Sequence, residues 1–118
     1  MALALSGGFK TSVTKRRAKM SQPDLLKELD IRKALPLWEL DASKKKIARE
    51  FIFQDFQHAF TFMTRCAQYA EEIDHHPDWS NSWNKVFVEL TTHSLGALSQ
   101  LDIKLALAMD RFAQEAKD

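Results

Sequence analysis

A chain of 118 residues is long enough for one modest core and too short for two. Its 17 Lys and Arg against 16 Asp and Glu leave a net charge of +1, which excludes any general electrostatic case for direct nucleic-acid binding or acidic partners. A single cysteine, Cys66, excludes an internal disulfide, and no apolar run approaches the roughly 20 residues that span a bilayer, so no membrane partner is expected.

The first acidic residue is Asp24, whereas Lys10, Lys15, Arg16, Arg17 and Lys19 all precede it among Ser and Thr. A basic, acid-free leader of this kind matches an organelle transit peptide, and Lys15-Arg16-Arg17-Ala18-Lys19 matches a short nuclear signal equally well. A disordered tail, or a start at Met20, accounts for it too. Residues 1–20 are therefore set apart as a flexible basic leader, with a single domain expected over 21–118. One lone thiol suits a reducing compartment, so the expected location is the cytoplasm, with nucleus and organelle left open by the leader.

Ser21 is the expected N-cap of a short helix, with Pro23 in its first turn and Leu25, Leu26, Leu29 and Leu35 as apolar anchors. Pro36 disfavours helical geometry at the preceding residue, so this helix should finish near Ala34. Leu37 to Leu40 alternates weakly and predicts a strand, followed by a polar turn at Asp41-Ala42-Ser43-Lys44. From Lys45 to Gln54, Ile47, Phe51 and Phe53 share one face of a second strand, and Arg49 between them is expected at the sheet edge or reaching solvent along its stem. Asp55 then caps a long helix whose stripe is Phe56, Ala59, Phe60, Met63, Ala67, Ala70 and Ile73. Cys66, beside that stripe, is expected as a small buried hydrophobe, and His58 as an ordinary surface histidine. Trp79 to Trp83 should be extended, Asn84-Lys85 a tight turn, and Val86, Val88 and Leu90 the inward side of a half-buried strand. Ser99 begins a last helix carrying Ile103, Leu105, Ala106, Met109, Phe112 and Ala113.

The order α-β-β-α-β-β-α predicts an α+β fold: a four-stranded antiparallel sheet with three helices on one face and a comparatively open second face. Leu101, Leu105 and Ala108 widen the apolar surface of the last helix beyond one core's need, and open strand edges need cover, so a homo-oligomer is expected.

The chemistry concentrates between Glu71 and Asp102, where His75, His76 and His93, three of the four histidines, accompany Asp74, Pro77, Trp79 and Trp83. Histidine titrates near neutral pH, about 6.5 when unperturbed, so such a cluster points to proton transfer on a flat, aromatic-friendly ligand. Pro77 holds His76 extended, and two extended neighbours project to different sides, so His75 and His76 are not equivalent. His93 falls at the end of the Val86–Thr92 strand, and Asp74 and Asp102 are candidates to orient an imidazole. Zinc ligation is a weaker alternative, because no histidine pair has the four-residue helical spacing of a zincin. A nucleophilic Cys66 lacks any surrounding signature, and merely structural surface histidines remain open at this point.

Glu71, three residues, His75-His76-Pro77, five residues, Trp83, nine residues, His93, eight residues, Asp102: this pattern resembles the signature of the pterin-4a-carbinolamine dehydratases. That family includes the dimerization cofactor of a homeodomain transcription factor. Phe53-Gln54-Asp55-Phe56 leading to Ala59-Phe60-Phe62-Met63-Thr64-Arg65 is similar to the family's strand-into-helix segment. Ala97-Leu98-Ser99 with Asp102-Ile103 and Leu105-Ala106 is similar to its last helix, so the likeness runs from Trp38 to Phe112. The resemblance implies the same α+β fold, dimers or tetramers, and a dehydratase acting on 4a-hydroxytetrahydrobiopterin without cofactor or metal. It implies His75 and His93 as the acid–base pair and His76 chiefly as a substrate ligand. By the same resemblance, Asp74, Thr91, Thr92 and Ser94 line the pterin, Glu71 and Asp102 support the site, and Pro77 and Trp79 border it. A shared cleft between the rings of His75 and His93 is the expectation on which this depends.

Ser94 and Leu95 depart from animal relatives, which tend to carry an acidic residue and a cysteine there, so rim contacts to the pterin side chain do not carry over. The alternative implied function is a non-catalytic dimerization or transcriptional coactivator module with a transcription-factor partner. That role belongs to animal members, and a shared fold does not transfer it.

Overall fold

The computed structural model describes residues 27–117; the basic leader and Ser21, Pro23, Leu25 and Leu26 lie outside that range. The element order is α1 (Glu28–Ala34), β1 (Glu39–Leu40), β2 (Ile47–Ile52), α2 (Phe56–Ile73), β3 (Asp78–Ser82), β4 (Lys85–Leu90) and α3 (Gln100–Ala116). This is the expected α-β-β-α-β-β-α order, and the four strands form one antiparallel sheet in the spatial order β1-β2-β4-β3.

The two hairpins meet along β2 and β4, whose six-residue register runs from Ile47 opposite Leu90 to Ile52 opposite Lys85. Alternation then sorts the faces. Ile47, Phe51, Val86, Val88 and Leu90 are buried, while Ile52, Lys85 and Phe87 stay exposed on the opposite face. The buried face meets Ala59, Phe62, Cys66 and Ala70 of α2 and Leu105, Ala106, Met109, Phe112 and Ala113 of α3. Phe62 is the hinge of this packing, with ring centroids 4.8 Å from Phe51 and 4.9 Å from Phe53.

Several sequence expectations need correcting. α1 starts at Glu28 with Lys27 extended, later than an N-cap at Ser21 would place it, and Leu29 faces solvent while Ile31 and Leu35 are buried. β1 covers only Glu39–Leu40 of the expected Leu37–Leu40. The buried stripe of α2 is shifted: Ala59 and Ala70 are buried and Met63 and Ile73 pack on the core as expected, but Phe56, Phe60 and Ala67 are exposed, and Phe62 and Cys66 take core positions. Both stripes are apolar at helical spacing, so the position of the sheet, not the periodicity, selects between them. Leu105 and Ala108 of α3 belong to the core, which leaves Leu101 and Leu107 as its exposed leucines.

Arg49 is not at an edge, because β2 is flanked by β1 and β4. Its side chain spans to α3, where Nη1 donates to Asp110 Oδ1 at 2.6 Å, and its guanidinium lies 4.3 Å from the Phe51 ring centroid. Trp38 Nε1 donates to the same oxygen at 2.8 Å, so Asp110 joins β2, the segment before β1, and α3.

The β3–β4 turn is Trp83-Asn84, one residue earlier than expected. Trp83 adopts φ 52°, a left-handed backbone unusual for a bulky residue. Asn81 holds it there, its side-chain amide donating to the carbonyls of Trp83 (3.1 Å) and Lys85 (2.9 Å). Asn84 exchanges two bonds with the Phe53 backbone, at 2.8 and 2.9 Å, and so fixes the turn against the entry to α2.

Asp55 caps α2 as expected: its Oδ1 accepts from the His58 backbone N–H at 2.9 Å and lies 2.6 Å from His58 Nδ1. The backbone donation, then the ring, holds the Asp55 carboxyl below its ordinary value. The folded chain therefore binds that proton less readily than the unfolded chain. The contribution is present above the ordinary aspartate pKa of about 3.9 and is lost as pH falls through the lower folded value. Between neutral pH and about pH 3, the urea midpoint of Asp55→Asn should fall less than that of the parent chain. Asp110→Ala should lower stability by about 2 kcal/mol in the same measurement, whereas Lys104→Ala, exposed on α3, should stay within about 0.5 kcal/mol.

Candidate active site

α2 ends in a way that determines where the first histidine goes. Asp74 is left-handed (φ 53°, ψ 46°), its N–H bonds to Glu71 O at 3.3 Å, and the next N–H, of His75, bonds to Ala70 O at 3.0 Å. These two bonds make the Schellman reversal, which satisfies the last carbonyls of the helix and folds the chain back across its end. Asp tolerates the left-handed conformation better than most residues, which is the positional meaning of Asp74 here. Pro77 then leads directly into β3.

His75 is buried, with Nε2 2.6 Å from Asp102 Oδ1. Asp102 is at the third position of α3 and has no exposed surface. Its other oxygen, Oδ2, accepts from the Ser99 backbone N–H at 3.0 Å and from Thr92 Oγ1 at 2.7 Å. Ser99 and Asp102 form a capping box, so the residue that meets His75 also satisfies the open N-terminus of α3. Thr92 reaches this point because a short loop closes on itself. Thr92 N–H bonds to Ala97 O at 3.0 Å, and Gly96, at φ 62°, turns the chain back towards Ser99.

The other two imidazoles repeat the pairing nearer solvent. His76 Nε2 lies 2.6 Å from Glu71 Oε2, with the imidazole about half exposed, and His93 Nε2 lies 3.2 Å from Asp78 Oδ2, with the His93 side chain 75% exposed. Each of the three histidines thus presents Nε2 to one carboxylate, which leaves Nδ1 as its second hydrogen-bonding position. His75 and His76 do face different surroundings, as Pro77 implied. His75 and His93 differ in exposure, yet they are linked through one short path, because His93 follows Thr92 and Thr92 touches Asp102.

Of the remaining predicted residues, Thr91 donates its hydroxyl to Lys45 O at 2.6 Å, tying the end of β4 to the start of β2. Ser94 lines an open cleft of about 350 Å³ with Thr92, Leu95, Ser99, Gln100 and Leu101, directly over the N-terminus of α3. Trp79 is half-buried and lies opposite Val88, on the helix side of the sheet, packed on the core. Trp83 is at the far end of β3 from Asp78, with its indole exposed.

Sequence reasoning missed two residues. Asp78, not Asp74, is the carboxylate beside His93. The hairpin register would have shown it, because a turn at Trp83-Asn84 sets Asp78 opposite Glu89, just before the strand end that leads to His93. Ser99 was identified as a helix start but not as part of the Asp102 network. Burial pushes the Cys66 thiol up to about 12, which disqualifies it as a nucleophile at neutral pH. Among the described residues, no group of three or more His, Cys, Asp or Glu is arranged to hold a metal ion. No helix among them is long and apolar enough to cross a membrane.

Comparison with known proteins agrees in sequence and in fold. The family model described as pterin 4 alpha carbinolamine dehydratase matches residues 18–112. A protein of Rhizorhabdus wittichii with the provisional name pterin-4-alpha-carbinolamine dehydratase is 52% identical over 81 residues, covering 69% of this chain and 84% of its own. A similarly named protein of Bordetella avium is 44% identical over 98 residues, covering 82% and 91%. The crystal structure of a transcriptional coactivator/pterin dehydratase from Brucella melitensis superposes with a TM-score of 0.73 at 42% identity, covering 76% of this chain and 99% of that one.

Asp102→Asn should destabilise the fold by about 3 kcal/mol in urea unfolding, because an amide offers one acceptor oxygen where His75, Thr92 and Ser99 all donate. Ser99→Ala, which keeps the backbone donor to Asp102, should lose only about 1 kcal/mol. Equal stability of Asp102→Asn and the parent chain would contradict the network.

Proposed function

The chain belongs to the pterin 4 alpha carbinolamine dehydratase family, and on that premise we propose that it removes water from 4a-hydroxytetrahydrobiopterin by histidine acid–base catalysis. The observation that carries this is the buried His75–Asp102 contact, accompanied by His76 and His93 each beside its own carboxylate. A pure binding module need not retain three imidazoles, each beside its own carboxylate.

The reaction needs a proton removed from N5 and a proton delivered to the departing 4a-hydroxyl. The N5 electron pair then closes the N5=C4a double bond, the C4a–O bond breaks, and water leaves with quinonoid dihydropterin as product. No electrons are exchanged with a cofactor. In this proposal His75 and His93 face the bicyclic ring across a common cleft and share these two transfers. Their unequal exposure suits the work: His93 is open to solvent and can exchange protons with it, while His75 is held in one orientation by Asp102. His76, supported by Glu71, positions the pterin, with Asp74, Pro77, Trp79 and Ser94 bordering it. The product would re-enter tetrahydrobiopterin recycling after reduction.

A second reading, an interaction module, is favoured by the coactivator role named for the Brucella melitensis structure. The exposed Phe56 and Phe60, with ring centroids 5.6 Å apart on α2, together with Leu101 and Leu107 of α3, support self-association as a homodimer or homotetramer under either reading.

Each positioned acid or base contributes about 10²–10⁴-fold. His75→Ala combined with His93→Ala should therefore abolish measurable turnover of a synthetic carbinolamine; the loss of the donor to Asp102 Oδ1 should lower the urea midpoint, while far-UV circular dichroism and oligomer mass without denaturant stay unchanged. Activity persisting in the double variant would end the acid–base assignment. Capture of a partner protein that depends on the exposed residues of α3, with no turnover by the parent chain, would favour the second reading.

A further inference from the structure

The loop between β4 and α3 builds one wall of an open cleft of about 350 Å³, and the first turn of α3 builds the other. The loop is held in shape: Thr92 N–H bonds to Ala97 O, and the N–H groups of Leu95 and Gly96 both bond to Thr92 O, each at 3.0 Å. Leu95 and Leu101 are 48% and 37% exposed, so each wall presents a leucine to this preformed concavity. Its floor, the buried Thr92 and Ser99, offers a ligand no donor. Thr92 Oγ1 donates to Asp102 Oδ2 at 2.7 Å, which obliges the Ser99 hydroxyl, 2.6 Å away, to donate to Thr92. The Ser99 N–H is given to Asp102 Oδ2 and the Leu101 N–H to Ser99 Oγ. The side chains left to meet polar atoms are those of Ser94 and Gln100, both exposed and uncharged. No lining residue carries a charge, and the charged group the floor touches is the Asp102 carboxylate, which repels an anion.

The proposed reaction says which part of the substrate comes here. N5 and C4a must lie at the imidazoles that exchange protons with them, and C6 is bonded to N5. A substituent on C6 therefore leaves the reacting atoms beside one of those rings. His93 falls between Thr92 and Ser94 of the lining, and Thr92 and Ser99 both touch the Asp102 that holds His75. The pyrimidinone end of a pterin, with its amide and amino groups, gains nothing from two leucines over a floor without donors. We propose that this cleft receives the C6 substituent, and that Leu95 and Leu101 select an uncharged substituent with an apolar stem over an anionic one. Hydroxyls further out on such a substituent meet Ser94 and Gln100. The inference rests on the dehydratase reading for the identity of the ligand and adds to it which pterins the chain accepts.

Leu95 carries the test, because Leu101 also belongs to the surface offered for self-association. The full chain is assayed for kcat/KM on the 4a-carbinolamines of 6-methyl-, 6-propyl- and 6-carboxyethyl-tetrahydropterin. Each methylene moved from water onto the leucines is worth about fourfold, so the parent should favour propyl over methyl, and propyl over carboxyethyl, by about tenfold each. Leu95→Ala should cut the propyl-to-methyl ratio about threefold. Leu95→Lys should raise the carboxyethyl-to-propyl ratio about tenfold, by removing apolar contact and supplying a cation. A merely structural loss lowers all three substrates together and moves no ratio, so unchanged ratios in both variants overturn the assignment. Dissociation constants of the corresponding aromatic pterins, from fluorescence quenching, read the same ratios without turnover. A chain that binds the propyl pterin in preference, loses that preference in Leu95→Ala and turns over no carbinolamine keeps the cleft assignment and removes the dehydratase reading. Equal turnover of all three carbinolamines removes the cleft assignment and keeps the dehydratase reading, and neither turnover nor preference in binding removes both.

Discussion

Enclosing a carboxylate completely is unfavourable unless donors occupy both of its oxygens. Asp102 meets that condition with three donors drawn from three different segments: the His75 loop after α2, Thr92 after β4, and the Ser99 cap of α3. Losing His75 leaves the buried Oδ1 without a donor, and losing Thr92 leaves Oδ2 with the Ser99 N–H alone, so each contact supports the burial of the charge. The arrangement therefore holds the end of α2, the end of β4 and the start of α3 together, and it does so at the place where the chemistry is proposed to occur. Stability and site geometry share one interaction.

The sheet makes that meeting possible. Pairing β2 with β4 at the centre brings two hairpins into one surface whose apolar face accepts both long helices. The antiparallel register sets the start of β3 beside the end of β4, which is how Asp78 comes to His93 although fifteen residues separate them in the chain. At the opposite end of the sheet, Asn81 and Asn84 maintain the tight Trp83-Asn84 turn despite its left-handed tryptophan. Two turns beyond Asp102 on α3, Asp110 joins Trp38 and Arg49 to the helix.

Much of this was legible in the residues. Asp55 and Ser99 announced their helices because an N-cap is a local event between a side chain and backbone two or three residues away. β4 was visible because Val86, Val88 and Leu90 alternate cleanly. The α2 stripe was placed in part: Ala59, Met63, Ala70 and Ile73 do face the core, but the helix carries apolar residues on two faces, and Phe56 and Phe60 look as suitable for a core as Phe62. Leu29 failed for the same reason. Arg49 was expected at an edge or reaching solvent along its stem, because its partner, Asp110, lies sixty-one residues away, beyond any local pattern.

The histidines, Glu71 and Asp102 were readable from type and spacing, since proton transfer near neutral pH needs imidazole and a carboxylate to orient it. The sequence alone also determined the element order, the α+β class and the family likeness, because these rest on periodicity, capping and fixed spacing along the chain. Which carboxylate serves which ring was settled only in three dimensions. Asp74 was taken up in ending a helix, Asp78 came to His93 through strand register, and Thr92 turned its hydroxyl inward to Asp102. Such pairings depend on which distant segments the core packing brings within about 3 Å of one another, and no local feature of the chain carries that information.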